Sequence, residues 1–174
     1  MAVRTILTLE NPILRQKARR VRYFNDALRK LADDMVETMR AAPGIGLAAT
    51  QVGVLERVIV AELPKDDEDP QSGKLFVVVN PELVKASPEA EEGEEGCLSI
   101  PGYVGDVRRA RWITIKGQDV KGRAIRLKAY GMLARVLQHE MDHLDGILFI
   151  DRVDSPDKIR KVQPQEREPE LATA

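Results

Sequence analysis

Apolar residues recur at three- and four-residue steps across residues 25–41, which is the spacing of one face of an α-helix. The repeating positions are Leu28, Leu31, Ala32, Met35, Val36 and Met39. Asn25 or Asp26 stands where a capping residue is needed, because a short polar side chain accepts a hydrogen bond from a free N–H group of the first turn. The pattern predicts an amphipathic helix near the N-terminus.

A second helical pattern covers residues 130–145, and Gly146 is a natural stop for it. Its apolar positions are Leu133, Val136, Leu137, Met141 and Leu144. Short runs rich in β-branched or alternating residues predict four strands, at residues 57–63, 75–80, 112–116 and 123–129. Together these elements predict an α+β fold, a single compact domain of mostly antiparallel strands around a central helix.

The remaining segments predict loops. Residues 64–74 and 87–96 are acidic and rich in turn-forming residues, so we expect them to be exposed. Residues 44–51 contain two glycines and several small residues, which favours a loop with an unusual backbone conformation that another group approaches closely. After residue 154 the chain is charged and contains three prolines, so we expect one folded domain at residues 1–154 and a partly disordered tail at 155–174.

Composition narrows the class of protein. The chain of 174 residues suits one domain, and its single cysteine cannot form an intramolecular disulfide. It has no apolar run of membrane-spanning length and no secretory signal, so we expect a cytoplasmic protein without a membrane partner. A formal net charge of −1 also argues against direct nucleic-acid binding. The basic cluster at residues 15–22 leaves a local anion-binding patch open, but the preferred interpretation is a solvated surface segment.

The two histidines of the chain lie four residues apart in the string His139-Glu140-Met141-Asp142-His143. On a helix this spacing stacks both imidazoles one turn apart, so both can reach one metal ion while Glu140 flanks it. The alternative is an ordinary pair of surface or core histidines. The apolar character of the helix favours a metal site, because two buried imidazoles without partners are unfavourable.

Cys97 is the leading candidate for a third ligand, although a lone cysteine is also a common small core residue. Three protein ligands leave one tetrahedral position open, which is typical of a catalytic centre. Water bound there becomes a nucleophile near neutral pH, and Glu140 is placed to transfer its proton. Gln51 could stabilise the oxyanion with its side-chain amide.

Three segments together resemble the signature motifs of the peptide deformylases. They are Gly44 to Gln51, the string Glu95-Gly96-Cys97-Leu98-Ser99, and Gln138 to Leu144. The resemblance implies hydrolysis of the N-terminal formyl group of formyl-methionine on newly synthesised polypeptides, with release of formate. It implies Cys97, His139 and His143 as metal ligands and Glu140 as general acid/base, with Gln51 and the backbone N–H of Leu98 as oxyanion donors.

The resemblance also implies the cofactor and the partners. The ion is Fe²⁺ in the first instance, with Zn²⁺, Ni²⁺ or Co²⁺ as alternatives that suit a thiolate and two imidazoles. The substrates are formyl-methionyl nascent peptides, whose backbone pairs with the loop at Ile45 and Gly46. Transient association with the ribosome is left open, but the long basic C-terminal helix that some members use for it is absent from this sequence.

Other residues of the second helix are candidates through their offsets from the histidines. Met132 and Val136 share the histidine face, so we expect them in the pocket for the methionine side chain, with core packing as the alternative. Arg135 is expected at the rim, with its stem packed and its guanidinium reaching solvent or the substrate. Asp142 is expected either to orient a metal ligand or to pair with Arg109.

Two other interpretations fit the histidine motif. A zincin-type metallopeptidase shares the His-Glu-x-x-His helix, but usually takes its third ligand from beyond that helix, whereas Cys97 lies upstream. A non-catalytic metal-binding or interaction module would not need Glu140.

Overall fold

In the computed structural model, which describes residues 1–162, helix α1 spans Asp26–Ala41 and carries the predicted amphipathic pattern. Asn25 caps it, since its side chain accepts a hydrogen bond from the Leu28 N–H at 3.1 Å. The apolar face is buried, with Met35 and Met39 fully inaccessible. The predicted N-terminal helix is therefore confirmed, with its first residue one position later than the pattern suggested.

Five strands form one antiparallel sheet in the order β1-β2-β3-β6-β7. Their bounds are Gly46–Ala48 (β1), Val58–Glu62 (β2), Leu75–Ala86 (β3), Trp112–Gln118 (β6) and Ala124–Tyr130 (β7). A second antiparallel sheet has the order β4-β5-β8, with bounds Ala90–Cys97 (β4), Ile100–Ala110 (β5) and Ile159–Lys161 (β8).

Helix α2 spans Gly131–Leu144 and packs on the face of the five-stranded sheet opposite to α1. The side chains of β2 alternate between the two faces of the sheet, and each face is covered by one of the helices. Val58 and Val60 pack into the cluster that contains α1, whereas Ile59 and Ala61 pack into the cluster that contains α2. All four side chains have no exposed surface.

The α+β expectation is confirmed, with mostly antiparallel strands and two α-helices in one domain. All four predicted strands are present. Neither helix in the described part of the chain is long and apolar enough to cross a membrane.

The sequence-based prediction of an acidic loop at residues 87–96 is wrong, because most of it is strand β4. This strand pairs with β5 along its length, from Ala90 opposite Ala110 to Gly96 opposite Val104. Part of the glycine-rich segment 44–51 is also a strand, β1, which pairs with β2. Both strands gain their stability from a partner that the local sequence does not reveal.

The chain continues as ordered structure beyond the expected domain boundary at residue 154. Strand β8 pairs with β5, and basic side chains of β8 and of the residue before it bond the acidic sheet. Arg160 of β8 bonds Glu94 at 2.7 Å, and Lys158 bonds Glu92 at 2.8 Å. The predicted tail therefore begins with an ordered segment, and its remainder, residues 163–174, lies outside the described residues.

Candidate active site

Helix α2 and the end of strand β4 bring three side chains together that could hold a metal ion. The ligand atoms of Cys97, His139 and His143 all lie within 4.8 Å of one another, and all three side chains are buried. Cys97 Sγ lies 3.4 Å from His143 Nε2. The predicted juxtaposition of a distant sulfur with two imidazoles one helical turn apart is therefore present.

His139 is held in a defined tautomer by Glu95. The Glu95 Oε1 atom lies 2.9 Å from His139 Nδ1, and an ionised carboxylate can only accept, so Nδ1 donates the hydrogen bond. The opposite ring nitrogen, Nε2, has no hydrogen-bond partner among the described residues. A buried imidazole with one nitrogen fixed by a carboxylate and the other facing two potential ligands fits a metal centre.

Glu95 is the centre of a buried ion-pair network. Arg109 binds both of its carboxylate oxygens at 2.9 Å, and Arg135 Nη1 lies 2.8 Å from Oε2. Burial alone would raise the pKa of Glu95, but the hydrogen bonds from Arg109 and His139 outweigh it and hold the pKa well below its usual range. Glu95 therefore stays ionised and keeps His139 oriented.

The expected pairing of Asp142 with Arg109 is observed, with Arg109 Nη1 at 2.6 Å from Asp142 Oδ2. Asp142 also accepts two hydrogen bonds from Arg152. The chain of ion pairs thus runs from His139 through Glu95, Arg109 and Asp142 to the surface.

Glu140 is completely buried beside the three candidate ligands. Its Oε1 atom lies 3.7 Å from His139 Nε2, and neither carboxylate oxygen has a hydrogen-bond partner among residues 1–162. Burial raises the pKa of Glu140 well above its usual value, and the negative charge of Glu95 adds to this effect. Burial likewise raises the pKa of the Cys97 thiol to about 12.

Gln51 lies in the short 3₁₀ helix that follows β1, and its side-chain amide is fixed at both ends. Its Oε1 atom accepts a hydrogen bond from the Ala48 N–H at 3.0 Å, while Nε2 donates to Ser99 Oγ at 3.1 Å and lies 3.7 Å from Cys97 Sγ. The amide N–H group therefore faces the candidate ligands. No sequence signal identified Ser99 as the residue that anchors the Gln51 amide.

Glycines 44 and 46 allow the first motif to approach the other two. A Cβ atom on Gly46 would lie 2.7 Å from Val136 and 3.1 Å from Glu140, and one on Gly44 would lie 2.7 Å from Leu98. The two separations of 2.7 Å are too short for a real Cβ contact, and the one of 3.1 Å is unusually tight. The close backbone approach expected at residues 44–51 is thus present, and it places Ile45 and Gly46 against α2.

The three pocket candidates of α2 lie in different environments in the structure. Val136 is buried, whereas Met132 is 43% exposed and does not belong to the core. The expectation that the Arg135 guanidinium reaches solvent or substrate is wrong, since this side chain is turned inward to Glu95 and to the carbonyls of Val107 and Glu91. The buried negative charge of Glu95 favours this orientation over solvation, so Arg135 is a positioning residue.

Sequence reasoning assigned no role to Glu95. The signal available was its position two residues before Cys97, which places both side chains on one face of a strand. The acidic composition around it hid this signal, because its neighbours Glu91, Glu92 and Glu94 are exposed while Glu95 is fully buried.

We expect Glu95→Gln to lower the free energy of unfolding by about 3–5 kcal/mol, because it leaves Arg135 buried without its counter-charge and Arg109 with Asp142 alone. We also expect metal affinity to fall by about 10–100-fold through the loss of His139 orientation. Urea unfolding and metal titration measure the two effects. Glu94→Gln is the matched control, since Glu94 is 52% exposed and pairs with Arg160, so its effect should stay below about 1 kcal/mol. Equal unfolding free energies for the two variants would contradict the assignment.

Comparisons with known proteins identify relatives of the whole chain. The family model for polypeptide deformylase matches residues 3–159. A peptide deformylase of Thermomicrobium roseum is 50% identical over 169 residues, which cover 97% of this chain and 96% of that protein. A peptide deformylase of Dehalococcoides mccartyi is 44% identical and covers 98% of both chains.

Solved structures show the same similarity. The Ehrlichia chaffeensis peptide deformylase in complex with actinonin aligns with a TM-score of 0.85 at 39% identity, over 91% of this chain and 92% of that one. The Thermotoga maritima enzyme aligns with a TM-score of 0.82 at 37% identity, over 89% and 100%. These matches define a class, the hydrolases that process newly made proteins at the N-terminus.

More particularly, the chain belongs to the peptide deformylase family and is an enzyme that removes the N-formyl group from nascent peptides. The family is one of metalloenzymes, and the Cys97, His139 and His143 cluster could hold the metal. The resemblance stated from the three motifs is thereby confirmed. The zincin and binding-module interpretations are set aside.

Proposed function

We propose that Cys97, His139 and His143 hold one divalent ion, Fe²⁺ by preference, and that the formyl amide is hydrolysed beside it. Zn²⁺, Ni²⁺ and Co²⁺ also suit this donor set of one thiolate and two imidazoles. When bound, such an ion lowers the pKa of water and polarises a carbonyl oxygen. The observation that carries the proposal is the approach of the three ligand atoms to within 4.8 Å, with the Glu140 carboxyl 3.7 Å from one of them.

Glu140 acts as general acid/base in this proposal. Its carboxyl group accepts a proton from the attacking water and delivers it to the departing amine nitrogen, so that formate and a free N-terminus are released. A general acid/base is most effective when its pKa lies near the working pH, and burial shifts Glu140 in this direction. The lack of hydrogen-bond partners leaves both carboxylate oxygens available for the transfer.

The Gln51 amide and the backbone N–H of Leu98 stabilise the oxyanion. The Gln51 side chain is anchored by Ala48 and Ser99, so its N–H group is oriented before the substrate arrives. Leu98 directly follows Cys97, so its N–H group lies next to a metal ligand in the chain. Donors that are fixed in advance cost no reorganisation during the reaction, which is why such a pair is effective.

The substrate backbone pairs with the segment Ile45 and Gly46 as an added strand. Strand β1 is at the edge of the five-stranded sheet, and an edge strand offers unpaired backbone groups to an extended peptide. Val136 and Met132 form apolar surface for the methionine side chain. The Val136 side chain lies against Gly46. The flexible thioether of the exposed Met132 suits the unbranched side chain of the substrate methionine.

The partners are formyl-methionyl nascent peptides, and the bacterial sources of the relatives support action in the cytoplasm. Transient association with the ribosome during this action is part of the same proposal.

The direct test is formate release from a formyl-methionyl peptide by anaerobically purified protein, with the bound metal quantified in the same sample. We expect activity proportional to metal content, loss of activity after chelation, and recovery when Fe²⁺ is added back. An acetyl-methionyl peptide serves as control, because its extra methyl group changes only the acyl part. Full activity in metal-free protein would refute the proposal.

A further inference from the structure

A groove of about 710 Å³ lies beside the start of α1, and the proposed chemistry makes no use of it. Its lining includes Arg4, Arg19, Arg20, Arg22, Tyr23 and Glu56. None of the residues that line it is a candidate metal ligand or oxyanion donor. The basic cluster seen in the sequence thus forms a wall of a concave surface.

The arginine segment is held rigidly, with its charges directed outward. Ala18 and Val21 are buried, while Arg19, Arg20 and Arg22 are exposed. The Arg19 backbone donates to Leu55 O and accepts from Arg57 N, both at 3.0 Å. This pairing fixes the segment to the start of β2.

A second clamp comes from Asn80, whose side chain bonds both backbone groups of Val21. Asn80 Oδ1 accepts from the Val21 N–H at 2.8 Å, and Nδ2 donates to Val21 O at 3.0 Å. Asn80 has φ of 53°, in the left-handed region that non-glycine residues rarely adopt. A strained conformation of this kind persists where the surrounding structure holds it. Here the two hydrogen bonds of the Asn80 side chain order the arginine segment.

The charge of the groove is largely uncompensated. Arg4 pairs with Asp34 at 2.9 Å, but Arg19, Arg20 and Arg22 form no ion pair within residues 1–162. Among the described residues that line the groove, Glu56 is the only acidic one. The net charge of −1 therefore conceals a local positive surface, which acts within about one Debye length, roughly 8–10 Å at moderate salt.

We propose that this groove binds the phosphate backbone of single-stranded RNA and that a base stacks on Tyr23. Arginines recognise phosphates with two hydrogen bonds each, and Tyr23 beside them is 78% exposed. Proteins that bind single-stranded nucleic acid combine a basic groove with an exposed aromatic ring. The groove attracts the phosphates, and the flat face of a base stacks on the ring. An anionic lipid surface would satisfy the arginines but would give Tyr23 no stacking partner. This differs from the expectation drawn from net charge, and it does not depend on the proposed hydrolysis.

The test is fluorescence anisotropy of a labelled single-stranded RNA of about twelve nucleotides with the full chain. Three phosphate contacts predict that affinity falls by about twentyfold between about 50 and about 200 mM salt. The combined variant Arg19→Gln, Arg20→Gln and Arg22→Gln should lose most of this salt dependence. Tyr23→Ala should weaken binding by about tenfold, whereas Tyr23→Phe should retain it.

The matched control is the combined variant Lys85→Gln, Arg108→Gln and Lys121→Gln, which changes the net charge equally at exposed positions outside the groove. It should bind RNA like the wild type. Equal weakening by both triple variants, or no effect of Tyr23→Ala, would overturn the proposal. Vesicles with anionic lipid provide the competing ligand, and binding to them in preference to RNA would also overturn it.

Discussion

The Cys97→Ala variant is expected to retain less than roughly a tenth of the wild-type metal after dialysis and to lose formate release with it. With alanine at this position, only two imidazoles remain, and divalent ions of this kind need three or four protein ligands. The substitution removes little volume from a buried position, so folding should persist. Metal analysis and the formyl-methionyl peptide assay on the same sample measure the effect.

Cys97→Ser is the informative companion, because it keeps the shape and a hydrogen-bonding atom but replaces the soft thiolate by a hydroxyl. We expect it to bind metal weakly as well, and urea unfolding should show that both variants are folded. A metal content unchanged in either variant would mean that the ion is held without the sulfur. The His139 and His143 pair would then belong to a different kind of centre.

The parts of the fold that the sequence predicted are those whose signal is local. Both α-helices follow from three- and four-residue periodicity, and β2 follows from its β-branched run. Strand β4 had no such signal, since most of its exposed positions are glutamates and two glycines interrupt it. It exists because β5 pairs with it and because Arg160 and Lys158 of a distant segment neutralise its charge.

The residues of the candidate site were likewise predicted where the sequence signal is local and missed where it is not. Motif spacing predicted that Cys97, His139 and His143 would meet, because the helix fixes two of them and chemistry calls for a third. The role of Glu95 was missed because its spacing to Cys97 is only a weak signal and its ion-pair partners are 14, 40 and 44 residues away in the chain. The direction of the Arg135 side chain depends on that buried carboxylate, so the error at Arg135 follows from the omission of Glu95.

The Glu140→Gln variant is expected to lower kcat by about a hundredfold to ten-thousandfold while leaving the metal content unchanged. Glutamine has the same shape as glutamate but cannot accept and return a proton. Glu140 is not one of the three candidate ligands, so the ion should remain bound. Single-turnover formate release and metal analysis of the same sample separate these two effects.

Stability provides the decisive comparison for Glu140. Its carboxylate has no hydrogen-bond partner among the residues described, so the substitution removes no protein contact of this kind. Because burial raises the pKa of Glu140, a neutral amide also removes the cost of burying a charge, and we expect the free energy of unfolding not to fall by more than about 1 kcal/mol. Asp145→Asn, at the end of the same helix and 42% exposed, is the control and should keep full activity. A Glu140→Gln enzyme that binds metal and retains more than roughly a tenth of wild-type turnover would contradict the proton-transfer role. Lost turnover at undiminished stability and unchanged metal content, in contrast, supports a role for Glu140 in the chemistry, because the loss of a residue that merely supports the fold would lower the stability.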